Sequence, residues 1–435
     1  MLLLIALLLL ILILYINKRV LGYTYALLNP VSLLCYLWII VFIFHYLFYG
    51  VNAYTFTTYV WIMLGLFFTA IGFWSCNKKR IVIGKKNLGG GLNRAYDIIY
   101  LKKVTKIFTF FKIIHLVYLF YSIVIRIAGS WGFFIINNTY VRNLYLDRST
   151  STIEAILAFL FSANVYLGYV LIGIYTAKII GNPVVSKRER RYAYFIIVIW
   201  VIFETLSAYI TMSKMSLFVF ILIFATTFFN NLESVHMQKK QFRRYLPLAV
   251  AGSFGFLILI ANQRNYAANG TSVVTQVLDK FVLYLSGGVE AFGIIMSTEK
   301  SPLYMGGQTF AFITRILSRL DLFGSTISIH KDAVITSLGT TNVYTWFYDF
   351  YMDFSYIGFI IMPLFMGILA GFFYNIRKNS LALNTCTAYI SMAVVFSFYT
   401  FMFEQTAYIF VMLYAVIMEK TLLKRIYLVK DYDKF

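Results

Sequence analysis

The chain has 435 residues, of which 61% are hydrophobic and only 13% charged, and its mean hydropathy is +0.78. Soluble globular domains carry roughly 25% charged residues and disordered chains have fewer apolar ones, so both classes are excluded. Three cysteines are too few for a disulfide framework and lack the spacing of a metal site. We therefore expect a membrane protein without metal or cofactor.

Apolar runs that approach the ~20 residues needed to cross a bilayer recur along the chain. We predict eleven transmembrane helices, at 1–16, 31–49, 57–76, 107–127, 153–177, 192–210, 215–230, 246–261, 350–373, 385–403 and 407–422. The first run has no basic residues before it and no small-residue cleavage pattern after it, so we interpret it as a retained helix. The predicted fold class is an all-α polytopic integral membrane protein, with residues 1–435 forming a single domain.

The net charge of +21 is distributed unevenly between alternate loops. Most of the 38 Lys and Arg residues fall in one set of loops, and the positive-inside rule assigns that set to the cytoplasm. The N-terminus is then outside and the C-terminus inside. Because no basic stripe alternates with stacking aromatics, we expect no nucleic acid, and the basic loops would instead face anionic membrane lipids.

One external loop, from about 262 to 349, is much longer than the others. Its apolar patch 281–296 is interrupted by Ser286-Gly287-Gly288 and carries Glu290. A full crossing by this patch would upset the alternation of charged loops. We therefore predict a large late loop with short or re-entrant helices, whose backbone must be satisfied by protein or water.

Cations gather on the predicted outer side, where ionisable residues near membrane depth are candidates for function. Arg315 and Arg319 are four residues apart, so a helix would direct both from one face. A guanidinium fork matches phosphate oxygens, whereas a single outer cation also fits a headgroup anchor. The candidate phosphate-binding residues are Arg142, Arg148, Lys214, Arg264, Arg315 and Arg319.

The segment from Thr341 to Gly358 combines carboxylates with aromatics. On a helix, Thr345, Asp349 and Asp353 form a polar stripe, which Asn342 extends. Carboxylates at the mouth of a span could act as a general base or hold a sugar. The alternative is that they pair with the arginines of the preceding loop and only fix its conformation.

Parts of this region resemble the Wzy-type O-antigen and oligosaccharide repeat-unit polymerases. The family has a late periplasmic loop and then a helix reading roughly Asn-x-x-Thr and Asp-Phe-Gly-x-x-Gly, which match Asn342-Val343-Tyr344-Thr345 and Asp353-Phe354-Ser355-Tyr356-Ile357-Gly358. Tyr284–Gly288, Met305–Thr309 and Ser213-Lys214 resemble further elements. Ser355 stands where the family has glycine, and Lys214 where it often has arginine.

The resemblance implies a metal-independent glycosyltransferase of lipopolysaccharide biosynthesis in the bacterial inner membrane. It would transfer the growing glycan from undecaprenyl diphosphate to a new lipid-linked repeat unit at the periplasmic face, with a chain-length regulator as a further partner. The candidate bases are Asp349, Asp353, Glu290 and His330. The expected substrate-binding residues are Arg142, Arg148, Lys214, Arg264, Arg315, Arg319, Asn342, Tyr344 and Thr345.

Two alternatives remain open at this point. An O-antigen ligase uses the same donor, but ligases tend to have a His-rich loop, and His330 alone supports this weakly. A repeat-unit transporter predicts repeated halves and charged residues near the midplanes of spans. No repeat is visible, and Lys112, Glu154 and Glu204 are scattered among the spans.

Overall fold

The computed structural model describes most of the chain. The described residues are 1–22, 27–51, 53–76, 97–147, 152–182, 184–211, 213–232, 273–298, 301–319, 331–377, 380–404 and 406–423, with four isolated positions between 238 and 244. These residues are almost entirely helical, as predicted for an all-α protein.

The helices are numbered here in chain order. They are α1 Leu2–Leu21, α2 Pro30–Phe48, α3 Ala53–Ser75, α4 Ile98–Leu119, α5 Trp131–Ile136, α6 Asn138–Asp147, α7 Thr152–Ile180, α8 Lys187–Thr211, α9 Lys214–Asn231, α10 Val273–Thr298, α11 Ala311–Arg319, α12 Trp346–Phe354, α13 Gly358–Ile376, α14 Leu381–Val395 and α15 Thr406–Lys420. One antiparallel hairpin, β1 Val334–Thr336 and β2 Gly339–Thr341, precedes α12.

Nine helices among the described residues are long and apolar enough to cross a membrane, so the polytopic class is confirmed. They are Leu2–Leu21, Pro30–Phe48, Thr55–Ser75, Ile98–Ile125, Ile156–Ile180, Lys187–Thr211, Leu278–Thr298, Trp346–Ile376 and Leu381–Phe398. Of the other predicted spans, 215–230 and 407–422 coincide with the shorter helices α9 and α15, and 246–261 lies outside the described residues. The count of eleven stays a prediction.

The late loop contains one long helix. The backbone of α10 is continuous over Val273–Thr298, and Ser286 donates its hydroxyl to the Val282 carbonyl at 2.9 Å within the helix. The Ser-Gly-Gly sequence therefore does not interrupt the helix. Its part from Leu278 onward has the length and composition of a span, a feature that the sequence analysis assigned to a re-entrant or surface helix.

Contacts group the chain into two units. Unit 1 comprises Met1–Gly91, Leu278–Arg377 and Tyr389–Ile409, and unit 2 comprises Leu92–Val277, Lys378–Ala388 and Phe410–Phe435. That residues 1–435 act together as one domain stays a prediction.

Unit 1 is built on the close pair α3 and α13. A Cβ added at Gly72 would overlap the Leu364 carbonyl, and one added at Gly367 would overlap the Thr69 carbonyl. Gly371, four residues after Gly367, likewise lies against α3. Lipid provides no hydrophobic force between helices, so small residues that let backbones approach are how such pairs associate.

Unit 2 is a bundle in which α7 packs against α4, α8 and α9. Gly168 of α7 leaves room for the indole of Trp200, because a Cβ there would lie 2.6 Å from its ring. The indole N–H of Trp200 donates to the hydroxyl of Thr109 at 2.9 Å. This contact gives a polar group inside the bundle a partner on the neighbouring helix α4.

Candidate functional site

The buried carboxylate at the start of α12 forms an ion pair. Asp349 is fully buried in the first turn of the helix, and the ammonium of Lys331 lies 2.8 Å from its Oδ1 and donates to its Oδ2 at 2.9 Å. Lys331 also donates to the hydroxyl of Thr400 at 3.4 Å and lies 5.1 Å from the ring centre of Tyr348. The partner of Asp349 is therefore a lysine, whereas the sequence analysis considered an arginine.

The second carboxylate of the stripe is held by backbone groups. One oxygen of Asp353 accepts the N–H of Gln308 at 3.0 Å, and the other accepts the N–H of Thr309 at 2.6 Å. The Asp353 carbonyl accepts the N–H of Met305 at 3.1 Å. This geometry fixes the turn before α11 through backbone groups, whereas the loop-fixing alternative named the arginines of the loop, and the use of Asp353 as a base stays a prediction.

A third carboxylate, Glu290, comes from α10. It is 4% exposed and accepts the hydroxyl of Ser337 at 3.0 Å and its N–H at 3.4 Å, in the turn of the hairpin. Burial raises the pKa of Tyr49 to about 12, with the hydroxyl of Thr336 acting in the opposite direction and the charge of Glu290 adding to the rise. Glu290 thus connects α10 to the hairpin and lies near the phenol that follows α2.

The residues between the hairpin and α12 differ in exposure. Tyr344 is buried, donates its hydroxyl to the Asp332 carbonyl at 2.7 Å and stacks on Tyr348 with ring centres 4.4 Å apart. Thr345 is fully buried at the N-cap of α12, and its hydroxyl has no hydrogen-bond partner within the described part of the chain. Asn342 is exposed.

Glycine 288 lets α10 approach this segment. A Cβ added at Gly288 would lie 3.1 Å from the Phe398 carbonyl oxygen and 3.5 Å from the Thr345 nitrogen. The Gly287-Gly288 pair is therefore a packing surface inside a helix, and the interruption predicted at these glycines is wrong.

The connection from α12 to α13 has a backbone conformation that favours glycine. Ser355 has φ 54°, a region that costs a non-glycine residue of order 1–3 kcal/mol. A Cβ added at Gly358 would overlap the Phe350 carbonyl. The conformation at Ser355 gives a physical reason for the glycine in the pattern that the segment resembles.

The predicted cations are only partly described. Arg142 lies in α6, Lys214 is the first residue of α9, and Arg315 and Arg319 lie in α11, each described by its backbone alone. The remaining predicted site residues, Arg148, Arg264 and His330, lie outside the described residues. The convergence of these cations on the carboxylates stays a prediction.

Four residues that contact or influence the site were not predicted from the sequence. They are Lys331, Thr400, Ser337 and Tyr49. Lys331 was recognisable only as one more external cation, because 18 residues and a hairpin separate it from its partner Asp349. Within the described ranges, no three His, Cys, Asp or Glu side chains form a group that could hold a metal ion.

A second buried ion pair lies in unit 2. The ammonium of Lys112 on α4 is 2.6 Å from Glu204 Oε1 on α8, and both side chains are 1% exposed. Lys112 also donates to the hydroxyl of Ser207 at 3.0 Å. In the sequence these two charges are scattered among the spans, whereas in the structure they form an ion pair.

Fold and site define the class of the protein as a polytopic helical membrane protein with buried ion pairs inside both of its units. Comparisons with protein families, with curated proteins and with solved structures find no match to this chain.

Proposed function

We propose that this protein polymerises lipid-linked oligosaccharide repeat units at the periplasmic face of the bacterial inner membrane, as a metal-independent glycosyltransferase. The observation that carries the proposal is the buried Lys331–Asp349 pair at the head of a span. Ionisable side chains at such positions are expensive and mark functional sites by default. The sequence pattern around Asp349 adds the resemblance to the polymerase family.

The contacts of the three carboxylates indicate which of them is best suited to act as the general base. Asp353 is engaged by two backbone N–H groups, which cannot leave without unfolding the turn. Asp349 is engaged by the flexible side chain of Lys331, which can withdraw and free a carboxylate oxygen. Asp349 is therefore our first choice to accept the proton of the acceptor sugar hydroxyl, with Glu290 second.

The substrates, the phosphate-binding residues and the membrane topology in this proposal are those predicted from the sequence. The donor and acceptor are undecaprenyl-diphosphate-linked glycans, and the predicted arginines with Lys214 neutralise the leaving diphosphate. In this proposal α10 is the predicted re-entrant or surface helix, and the eleven predicted spans cross the membrane. The N-terminus is then periplasmic, the C-terminus is cytoplasmic and the carboxylates face the periplasm.

Complementation of a deletion strain tests this function. In a strain with a surface-glycan ladder, loss of the gene should leave the core with a single repeat unit, and the wild-type gene should restore the ladder. Asp349→Asn should fail to restore it at equal protein level. Asp279→Asn, which changes an exposed carboxylate of α10, is the matched control and should restore it.

The other patterns on the same gel contradict the proposal. Polymer that accumulates on the lipid carrier without reaching the surface would indicate the ligase. An unchanged ladder in the deletion strain would exclude both enzymes.

The repeat-unit transporter is the second candidate function, and one observation favours it. Transporters carry charged residues near the midplanes of their spans, and Lys112 lies near the middle of its span, paired with Glu204. Loss of every repeat unit from the core, with the lipid-linked unit retained in the cell, would support it.

A further inference from the structure

In the Lys112–Glu204 pair, Lys112 lies at about the middle of its span and Glu204 lies nearer to one end of its own. Lys112 is about 21 Å from Ile98 and about 20 Å from Ile125 along the helix, given a rise of 1.5 Å per residue. The hydrocarbon core of a bilayer is about 30 Å thick. On the same measure Glu204 is about 26 Å from Lys187 and about 10 Å from Thr211. Because the two charges are 2.6 Å apart, both lie inside the hydrocarbon core and not at the interface, where a long side chain could reach water.

Packing alone gives little reason to keep charges at this depth. A buried ion pair is on average no more stabilising than two apolar side chains of similar volume. The same two helices also carry an ordinary surface ion pair, because Lys102 and Glu189 pair at 2.8 Å where both side chains are about one-third exposed. The pair inside the hydrocarbon core therefore needs another explanation.

Two buried polar atoms beside the pair have no hydrogen bond within the described residues. One is Oε2 of Glu204, a side chain that is 1% exposed, and the other is Nδ1 of His115. His115 follows Lys112 by three residues, so both side chains leave the same face of α4. The carboxylate of Glu204, the ammonium of Lys112 and the ring of His115 are three groups that can each hold a proton.

We propose that Glu204, Lys112 and His115 form a proton-binding relay in unit 2. A proton from water forms an O–H bond on Glu204, which leaves the ammonium of Lys112 without a counter-charge. One N–H bond of Lys112 then breaks, and its proton forms a bond to Nδ1 of His115. The site has gained one proton and one positive charge. When the imidazolium returns its proton to water and the proton on Glu204 moves to the neutral Lys112, the starting ion pair is restored.

The other titratable groups near the relay are tyrosines. Tyr118 of α4 packs against the ring of Phe161, which His115 also contacts. The helix α7 packs against both α4 and α8, and its Tyr169 lies against the indole of Trp200, one turn before Glu204. The helix α9, which also packs on α8, carries no titratable residue between Met215 and Asn231. A proton that reaches this level therefore has the three relay residues as its principal acceptors.

Infrared difference spectroscopy tests the relay with the proton itself as the probe. The full chain in lipid nanodiscs is stepped from mildly alkaline to mildly acidic buffer, and the C=O band of protonated carboxyl groups is recorded. The wild type should gain a band that is absent from Glu204→Gln. His115→Phe should reduce that band several-fold at the same pH, which loss of ring packing alone would not do.

The exposed pair provides the matched control, because Glu189→Gln should keep the Glu204 band. If Glu204→Gln fails to fold, Lys112→Met/Glu204→Met removes both charges together and should also lack the band. Identical carboxyl regions in the wild type and the Glu204 variants, at every pH at which they retain helical circular dichroism, would overturn the proposal. A full band in His115→Phe would contradict the transfer to His115. The readout is independent of glycan synthesis.

Discussion

The two buried ion pairs have similar lengths and very different settings. Lys112 and Glu204 project from two regular helices, and their partners are side chains. Lys331 lies in non-helical chain before a hairpin, and Asp349 lies in the first turn of α12. The first pair joins elements that packing already fixes, whereas the second fixes an irregular segment against a helix.

This difference predicts which pair can be replaced. Two regular helices keep their backbone hydrogen bonds when a charge pair becomes an apolar pair, so the exchange affects mainly solvation. An irregular segment at a site has few other bonds to hold it, and its polar groups need partners. The variants below separate the two cases, from the largest expected effect to the smallest.

Removal of both charges in unit 1 should affect activity most. Lys331→Met/Asp349→Leu leaves no unpaired charge, so the helices should still form, but the segment before the hairpin loses its contact with α12, and the base and its partner are gone. We expect ladder formation to fall by about 100-fold or more, the lower end of what general bases contribute. Quantified glycan ladders at matched protein levels measure it. A ladder within about two-fold of wild type would remove Asp349 from the mechanism.

Removal of one charge in unit 2 should affect stability most. Lys112→Met leaves Glu204 buried without its cation, and breaking such a pair costs about 3–5 kcal/mol. Lys112→Met/Glu204→Met should recover most of that loss. Thermal unfolding in one detergent at one pH compares the three proteins. A single variant as stable as the double variant would show that Glu204 is not held by Lys112.

Asp353, whose carboxylate is held by backbone N–H groups, should have an effect on stability between those of the buried and the exposed ion pairs of unit 2. Asp353→Ala removes two hydrogen bonds from the N–H groups of Gln308 and Thr309, which are then left buried. Hydrogen bonds to charged groups contribute about 1.5–3 kcal/mol each, and a loop that relaxes toward water recovers part of this. We expect a loss of about 2–3 kcal/mol, with faster proteolysis between residues 301 and 310. Unchanged proteolysis would contradict the loop-fixing role.

The exposed pair of unit 2 should matter least. Lys102 and Glu189 are about one-third exposed, and such pairs contribute about 0–1 kcal/mol and weaken with salt. Lys102→Ala should therefore lower the melting temperature only slightly at low salt and not at all at high salt. A loss that persists in high salt would mean that the aliphatic stem of Lys102, and not its charge, carries the contact.

Helix formation was the part of the structure that the sequence predicted best, because apolar runs in lipid have few alternatives. The stripe of Asp349 and Asp353 was likewise predicted, since both lie within α12. Pairing across elements was not predicted. The Lys112–Glu204 contact depends on the rotation of α4 against α8, and nothing in either segment alone specifies that rotation.

At Ser286-Gly287-Gly288 the sequence predicted an interruption that the structure does not have. Glycine is a poor helix former in water, so Gly287 and Gly288 suggested a break. In the structure the missing side chains are what lets α10 lie against the backbone at Thr345 and Phe398. Local propensity is a weak guide where close backbone approach decides the conformation.

The glycine contact between α3 and α13 has a consequence for biosynthesis. About 280 residues separate Ser75 from Gly358, and a ribosome needs roughly 15 to 60 s for that length at 5–20 residues per second. During this interval α3 has emerged and its final partner does not yet exist. The glycine face that fits α13 so closely is then open to any other helix in the membrane, so the assembly of unit 1 is completed only after most of the chain has been synthesised.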